Sequence, residues 1–224
     1  MTRMPTAGSW SVALLLGLSA LGCTPGGVGD PCTPEDEYQQ NFSGFAVTET
    51  NTESRSFQCE TRLCLVNHFQ GRVSCRLGQP APPVDATGAP IGGPDYHPAC
   101  SIPGTAASTD PASPDNINVA VKSQLVGRQT EKAVYCSCRC DGPDKNARYC
   151  ECPSGFQCEP VVANLKITSS AGQLTGSYCI RSGSKYNPNT DQDSGPTCAD
   201  SGANKKACGC DGANPPAECG KTTP

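Results

Sequence analysis

The sequence predicts a small disulfide-rich, mainly β protein made of two or three cystine-stapled modules joined by Pro/Gly-rich linkers. Three observations carry that expectation. The 224-residue chain holds 17 cysteines, six of them within residues 136–158. It also holds 24 Gly and 21 Pro, and its one Trp, Trp10, lies in the N-terminal leader, so a single large hydrophobic core is not expected and small modules need staples. The leader has a short basic start, Arg3, and an apolar run over residues 12–21. That run falls well short of the roughly 20 residues a bilayer span takes, so it predicts an export signal. Export places the cysteines where they oxidise to cystines.

The leader ends in Ser19-Ala20-Leu21-Gly22-Cys23. This resembles the lipobox of bacterial lipoproteins, in which the cysteine is acylated and becomes the first residue of the mature chain. Ala20 stands where that family most often has Leu, and Leu21 where a small residue is commoner. The resemblance implies a signal peptide over residues 1–22 and a lipidated Cys23 followed by a Gly-rich tether to residue 30. An ordinary signal peptide cut near Ala20 or Gly22 is the other reading. Parity favours the lipid, because setting Cys23 aside leaves sixteen cysteines, which can all pair. Acyl chains anchor firmly, since each buried methylene contributes about 0.8 kcal/mol. Thr24, rather than Asp, follows the cysteine, and by resemblance this implies the outer membrane, on its periplasmic or its surface face.

The net charge of −4 becomes −5 once Arg3 leaves with residues 1–22. A mildly acidic, scattered balance argues against nucleic acid as a partner, because phosphate binding needs a cationic patch.

The first module is expected over residues 31–78, with Cys32, Cys59, Cys64 and Cys75 as a set able to close on itself. Within it, residues 62–77 read as a β-hairpin turning at Phe69-Gln70-Gly71, and residues 45–50 as a third strand. Residues 79–99 carry Pro80, Pro82, Pro83, Pro90, Pro94 and Pro98 and read as a linker. The second module, residues 100–182, holds Cys100, Cys136, Cys138, Cys140, Cys150, Cys152, Cys158 and Cys179. Alternation over 116–126 and 133–140 predicts a second hairpin, and 176–181 a closing strand. The same alternation puts Cys136, Cys138 and Cys140 on one strand face, so that each should reach a different partner. A polar linker, 183–197, leads to a cysteine-rich segment, 198–219, with Cys198, Cys208, Cys210 and Cys219. That segment has almost no large apolar side chain and would be disordered without bridges, although it can dock on the second module.

Few patterns carry chemistry. The two C-x-C runs at 136–158 also suit a thiolate cluster for zinc or copper(I), and export favours cystines over it. Asn187, Asn189, Asp191, Asp193 and Asp200 look like a degenerate calcium loop, with Gly195 one place late and Asp200 where a bidentate Glu is usual. Asp141, Asp144 and Asn146 are weaker still. His68 and His97 are the only histidines, and neither stands in a catalytic motif. No cofactor, metal site or catalytic residue is therefore expected.

The stretch Cys150-Glu151-Cys152-Pro153-Ser154-Gly155-Phe156-Gln157-Cys158 is similar to the C-x-C-P-x-G-F-x-C corner of EGF-like and laminin-like modules. The resemblance implies a cystine-stapled extracellular module in which the glycine turns the chain and the aromatic packs on a cystine. Its last two cysteines are closer than in a complete EGF module, so no pairing is carried over. Taken whole, with Gly29-Asp30-Pro31-Cys32, the run from Cys64 to Cys75 and the C-x-C-x-C run, the chain resembles the cysteine-rich envelope lipoproteins of myxobacterial-type gliding bacteria. This implies a non-enzymatic, membrane-anchored protein acting in structure, adhesion or binding of an unknown envelope protein or glycan. Two alternatives are an extracytoplasmic protease inhibitor using residues 153–157 and a calcium-dependent binding module using the 187–200 run.

Overall fold

The computed structural model describes residues 25–88, 100–161, 176–187, 189 and 195–211. Two three-stranded antiparallel sheets dominate them. The first has the order β1 (Thr50–Glu53), β2 (Leu63–Asn67), β3 (Val134–Ser137), and the second β4 (Arg139–Asp141), β6 (Gly176–Arg181), β5 (Phe156–Val161). Among the described residues helix is limited to one turn, α1 (Thr130–Ala133), a short α2 (Gly202–Ala207) and two 3-10 turns. With seven disulfides among the described cysteines, this is a disulfide-rich, mainly β fold.

β2 is Leu-Cys-Leu-Val-Asn, a run of β-formers whose alternate side chains serve two cores. Cys64 and Val66 point with Val134 and Cys136 into one cluster that includes Cys32, Cys59, Phe45 and Phe69. Leu65 and Tyr135 point the other way, onto Val161, Tyr178 and Ile180 of the second sheet. A small antiparallel sheet buried on both faces explains why β3 is buried at every position. The outer edge of β3 is closed as well, by Gly29 donating to Cys136 and Cys136 donating to Asp30, both at 2.8 Å.

The expected hairpin over 62–77 is corrected. β2 pairs with β1 on one side, Thr50 opposite Asn67, and with β3 on the other, Cys64 opposite Cys136. Gly71 does take a positive φ of 87°, but a Cβ there would collide with the carbonyl oxygen of Lys122, and one at Gly78 would lie 2.5 Å from that of Val121. These glycines let a second backbone pass against the first. That second backbone is residues 116–126, where a strand was expected. It is held instead by isolated bridges such as Gln79 with Val121. Buried amide side chains complete the hold. Gln79 donates to the carbonyls of Ile117 (2.9 Å) and Val119 (2.8 Å), and Gln124 donates to Arg72 (2.9 Å). The third strand begins at Thr50, where the expected 45–50 segment ends, and Phe45 makes only a bridge to Gly71. The closing strand has the predicted bounds.

The expected 133–140 strand is broken at Cys138, and its halves join different sheets. Ser137 donates to the Cys179 carbonyl (2.9 Å) and Cys179 donates to the Cys138 carbonyl (3.1 Å), which fixes the step. Cysteine bookkeeping changes too. Cys59–Cys136 and Cys75–Cys100 both cross from the first expected module to the second, so the first four cysteines do not close on themselves. The two stretches share a sheet, a core and two bridges.

The 198–211 segment docks on both. Cys198 and Cys208 bond to each other and pack on Leu77 and Val126, while Cys198 donates to Gln124 (2.8 Å) and Arg76 to Cys208 (3.3 Å). Ser201 caps α2 by accepting from Asn204. Cys210 is disulfide-bonded as well. Cys23, His97 and Cys219 lie outside the described residues.

One buried ion pair braces the first half. Glu37 and Arg72 are both fully buried, 3.4 Å apart. Glu37 accepts from the Val73 amide (2.7 Å) and the Ser74 hydroxyl (2.7 Å). Burial pushes its carboxyl above the usual range, against the Ser74 hydroxyl, Arg72 and the Val73 and Ser74 amides, which pull it down. A raised folded pKa means the native state keeps a proton that the unfolded state gives up. The stabilisation is therefore fully present below about 4.3, the unfolded value, and is lost as pH rises through the folded pKa. Against Glu37→Gln, the wild-type melting temperature should gain as pH is lowered from neutral toward that value. A relative loss along the same path would mean that Arg72 keeps the carboxylate ionised.

Candidate functional site

Two features stand apart from the scaffold: a stack of cystines in the second sheet and an aromatic loop tip on the first. Cys136 on β3, and Cys138 and Cys140 in the stack, reach Cys59, Cys150 and Cys158, three different partners as alternation predicts. Cys152 bonds Cys179 on β6. The 150–158 corner turns at Gly155, which has a φ of 87°, and Ser182 donates to its carbonyl at 2.8 Å. Phe156 packs edge-on to Tyr135, with ring centroids 5.5 Å apart, and lies under the Arg181 guanidinium. Tyr135 accepts from the Arg181 amide at 3.0 Å, and burial pushes its phenol up. Three groups of sulfurs lie within metal-ligand reach of one another, and every cysteine in them is in a cystine.

The loop tip was not legible in the sequence. Residues 56–62 form a loop closed at almost every step. Ser56 donates to the Arg62 carbonyl (3.0 Å), Arg62 to that of Cys59 (2.9 Å), and Gly26 to that of Gln58 (2.7 Å). The Gln58 side chain exchanges two hydrogen bonds with the Thr33 backbone, both at 2.9 Å. Beneath it, buried Cys59 is bonded to Cys136. From this base Phe57 projects, 79% exposed, with the Arg62 guanidinium 4.2 Å from its ring centre. Arg62 holds a left-handed φ of 63° to do so. A short-range sequence pattern does not announce such a tip, because the closure comes from Gly26, Thr33 and Cys136.

The other candidates resolve into packing. His68 stacks on Tyr186 at 4.0 Å, its Nδ1 is 2.9 Å from the Val47 carbonyl, and Arg128 bonds to its carbonyl. Asn187 accepts from the Asn189 amide (3.0 Å) and Asp200 from Thr197 (2.5 Å), each closing a local turn. That hydrogen bond holds the Asp200 carboxyl below its usual range. Asp191 and Asp193 lie outside the described residues. Asp144 likewise accepts from Asn146 (2.9 Å) and Asp141 from Gly142 (2.8 Å). Among the described residues no helix is long and apolar enough to cross a membrane. No protein-family model, curated protein or solved structure matches this chain.

Proposed function

We propose that this is a non-enzymatic, lipid-anchored protein of the bacterial outer membrane that displays a rigid binding tip to another envelope protein or glycan. The observation that carries the reading is Phe57 on its clamped loop. A large apolar side chain left in water on a backbone that cannot relax loses little entropy when a partner covers it, which is what makes an anchor residue efficient. Arg62 over the ring adds a cation beside the aromatic face, on a chain of net negative charge. The cystines support the same reading, since they hold the loop without a large core. The anchor rests on the 1–23 leader and on the odd cysteine count.

Two measurements test it. The intact mass of the mature protein should show acyl groups on Cys23, and Cys23→Ser should move the protein from membrane pellet to soluble fraction. Retention on isolated envelopes of the source cells should fall by about 30-fold in Phe57→Ala, the loss of roughly 2 kcal/mol typical of an anchor aromatic. Equal retention at an unchanged melting temperature would remove the loop from the account, and an unmodified mass would remove the lipid.

The same tip favours one second reading. A chymotrypsin-type protease takes an aromatic side chain in an apolar pocket, so an inhibitor would use residues 55–59 rather than 153–157, whose Phe156 is turned inward. Inhibition of chymotrypsin by the wild type and not by Phe57→Ala would select it.

A further inference from the structure

Three cystines of the second sheet lie side by side, two of them in sulfur contact and the third within 4.8 Å. The Cys138 Sγ is 3.5 Å from that of Cys179, and the Cys150 Sγ is 3.8 Å from it, so Cys138–Cys150 lies against Cys152–Cys179. On the far side of Cys152, the sulfurs of Cys140, Cys152 and Cys158 lie within 4.8 Å of one another. Exposure is graded across the stack. Cys158 is exposed, Cys140, Cys150 and Cys152 are half-buried, and Cys138 and Cys179 are buried. Thiolates attack disulfide sulfurs at close range, and the rate follows access and proximity. A graded, contiguous set of six sulfurs has one accessible end and a short path inward.

We propose that these three cystines form a thiol–disulfide exchange relay that a small dithiol drives from Cys158. The dithiol's thiolate attacks the Cys158 Sγ, and the Cys140–Cys158 bond breaks with its electron pair leaving on Cys140. The Cys140 thiolate attacks Cys152, forming Cys140–Cys152 and releasing Cys179. Freed from Cys152, the Cys179 side chain turns about its Cα–Cβ bond into line with the Cys138–Cys150 bond, and its thiolate attacks Cys138, 3.5 Å away in the resting fold, forming Cys138–Cys179 and releasing Cys150, which takes a proton from water. Meanwhile the second thiol of the dithiol attacks its own sulfur in the mixed disulfide, closes a cyclic disulfide and frees Cys158. Two electrons have passed from the dithiol, and one cystine's worth of thiol appears in the protein. It appears at Cys150 and Cys158, two cysteines that were never partners. The sheet keeps two of its three staples in new pairings, so a single reduction does not open it.

The contrast lies within the same molecule. Cys32, Cys59 and Cys136 also have sulfurs within 4.8 Å of one another, but all three are buried. No dithiol reaches them while the fold holds.

The test is partial reduction of the folded protein with limiting dithiothreitol, acid quenching, N-ethylmaleimide labelling and peptide mapping of labels and bridges. The expected map has labels chiefly at Cys150 and Cys158, new Cys140–Cys152 and Cys138–Cys179 bridges, and no label at Cys32, Cys59, Cys64 or Cys136. Removing the middle bridge with Cys152→Ala/Cys179→Ala should abolish labelling of Cys150 and leave labels at Cys140 and Cys158. Labels confined to Cys140 and Cys158 in the wild type, with every remaining bridge native, would overturn the relay. So would equal labelling of all cystines, which reports global unfolding. The wild-type map decides even if the double variant does not fold.

Discussion

Replacing Cys59 and Cys136 together by alanine should destabilise the protein by about 4 kcal/mol, more than the loss of any other described bridge. This bridge closes a span of 77 residues, whereas the other six close spans of 10 to 32. In the chain-entropy account the stabilisation grows with the logarithm of the loop, from about 3 kcal/mol for 15 residues to about 4.7 for 100. Cys75–Cys100 offers a shortcut inside the span, which lowers the effective length and brings the value toward the middle of that range. The bridge also sits where Phe57's loop meets β3, so its loss should loosen the tip. Denaturant midpoints without reductant check the ranking, with Cys138→Ala/Cys150→Ala as the short-span comparison at about 3 kcal/mol. Equal losses would mean that local packing, not constraint of the unfolded chain, sets what each staple contributes. For a domain whose whole stability is typically 5–15 kcal/mol, the larger loss should also bring thermal unfolding near working temperature.

The same bridge shows what the sequence could and could not convey. Composition announces that cystines replace a core, and alternation places Cys136, Cys138 and Cys140 so that they seek separate partners, as they do. The even sets of four and eight look self-contained. Yet parity is unchanged when two bridges cross between them, because each set loses two members and gains two partners. Counting therefore cannot detect Cys59–Cys136 and Cys75–Cys100. Strand character was legible where side chains serve a packed face, as in β2 and β6. It was not legible at 116–126, where Val119, Val121 and Leu125 alternate as a strand would but the backbone bonds to Gln79, Arg76 and Thr197 instead of to a neighbouring strand. The exposed Phe57 tip escaped for a related reason. Phe57 reads as an ordinary aromatic until the contacts from Gly26, Thr33 and Cys59 show that the loop beneath it is fixed.

Arg72→Met should unfold the first half of the molecule at a loss of about 3–5 kcal/mol, although methionine keeps the length and most of the bulk. Arg72 is fully buried and its guanidinium holds three carbonyls: Gln39 at 3.1 Å, Phe42 at 2.6 Å and Glu37. It also faces the Phe42 ring, 5.4 Å from its centre. These contacts fasten the turn at Glu35–Tyr38 and the residues after it to the 72–75 corner. Methionine leaves those carbonyls without a donor, each a loss of about 1–3 kcal/mol if water cannot enter, and leaves the Glu37 carboxyl without its counter-charge. The carboxyl would then take up a proton more readily, so the variant's deficit should shrink in acid. Adding Glu37→Gln should recover part of the loss, because the buried charge goes while an acceptor for Val73 and Ser74 remains. It should not recover all of it, since the orphaned carbonyls persist. A double-mutant cycle on melting free energies separates the two contributions. If Glu37→Gln rescues nothing, the arginine's part is to bind the backbone of residues 37–42, and its attraction to the carboxylate is incidental.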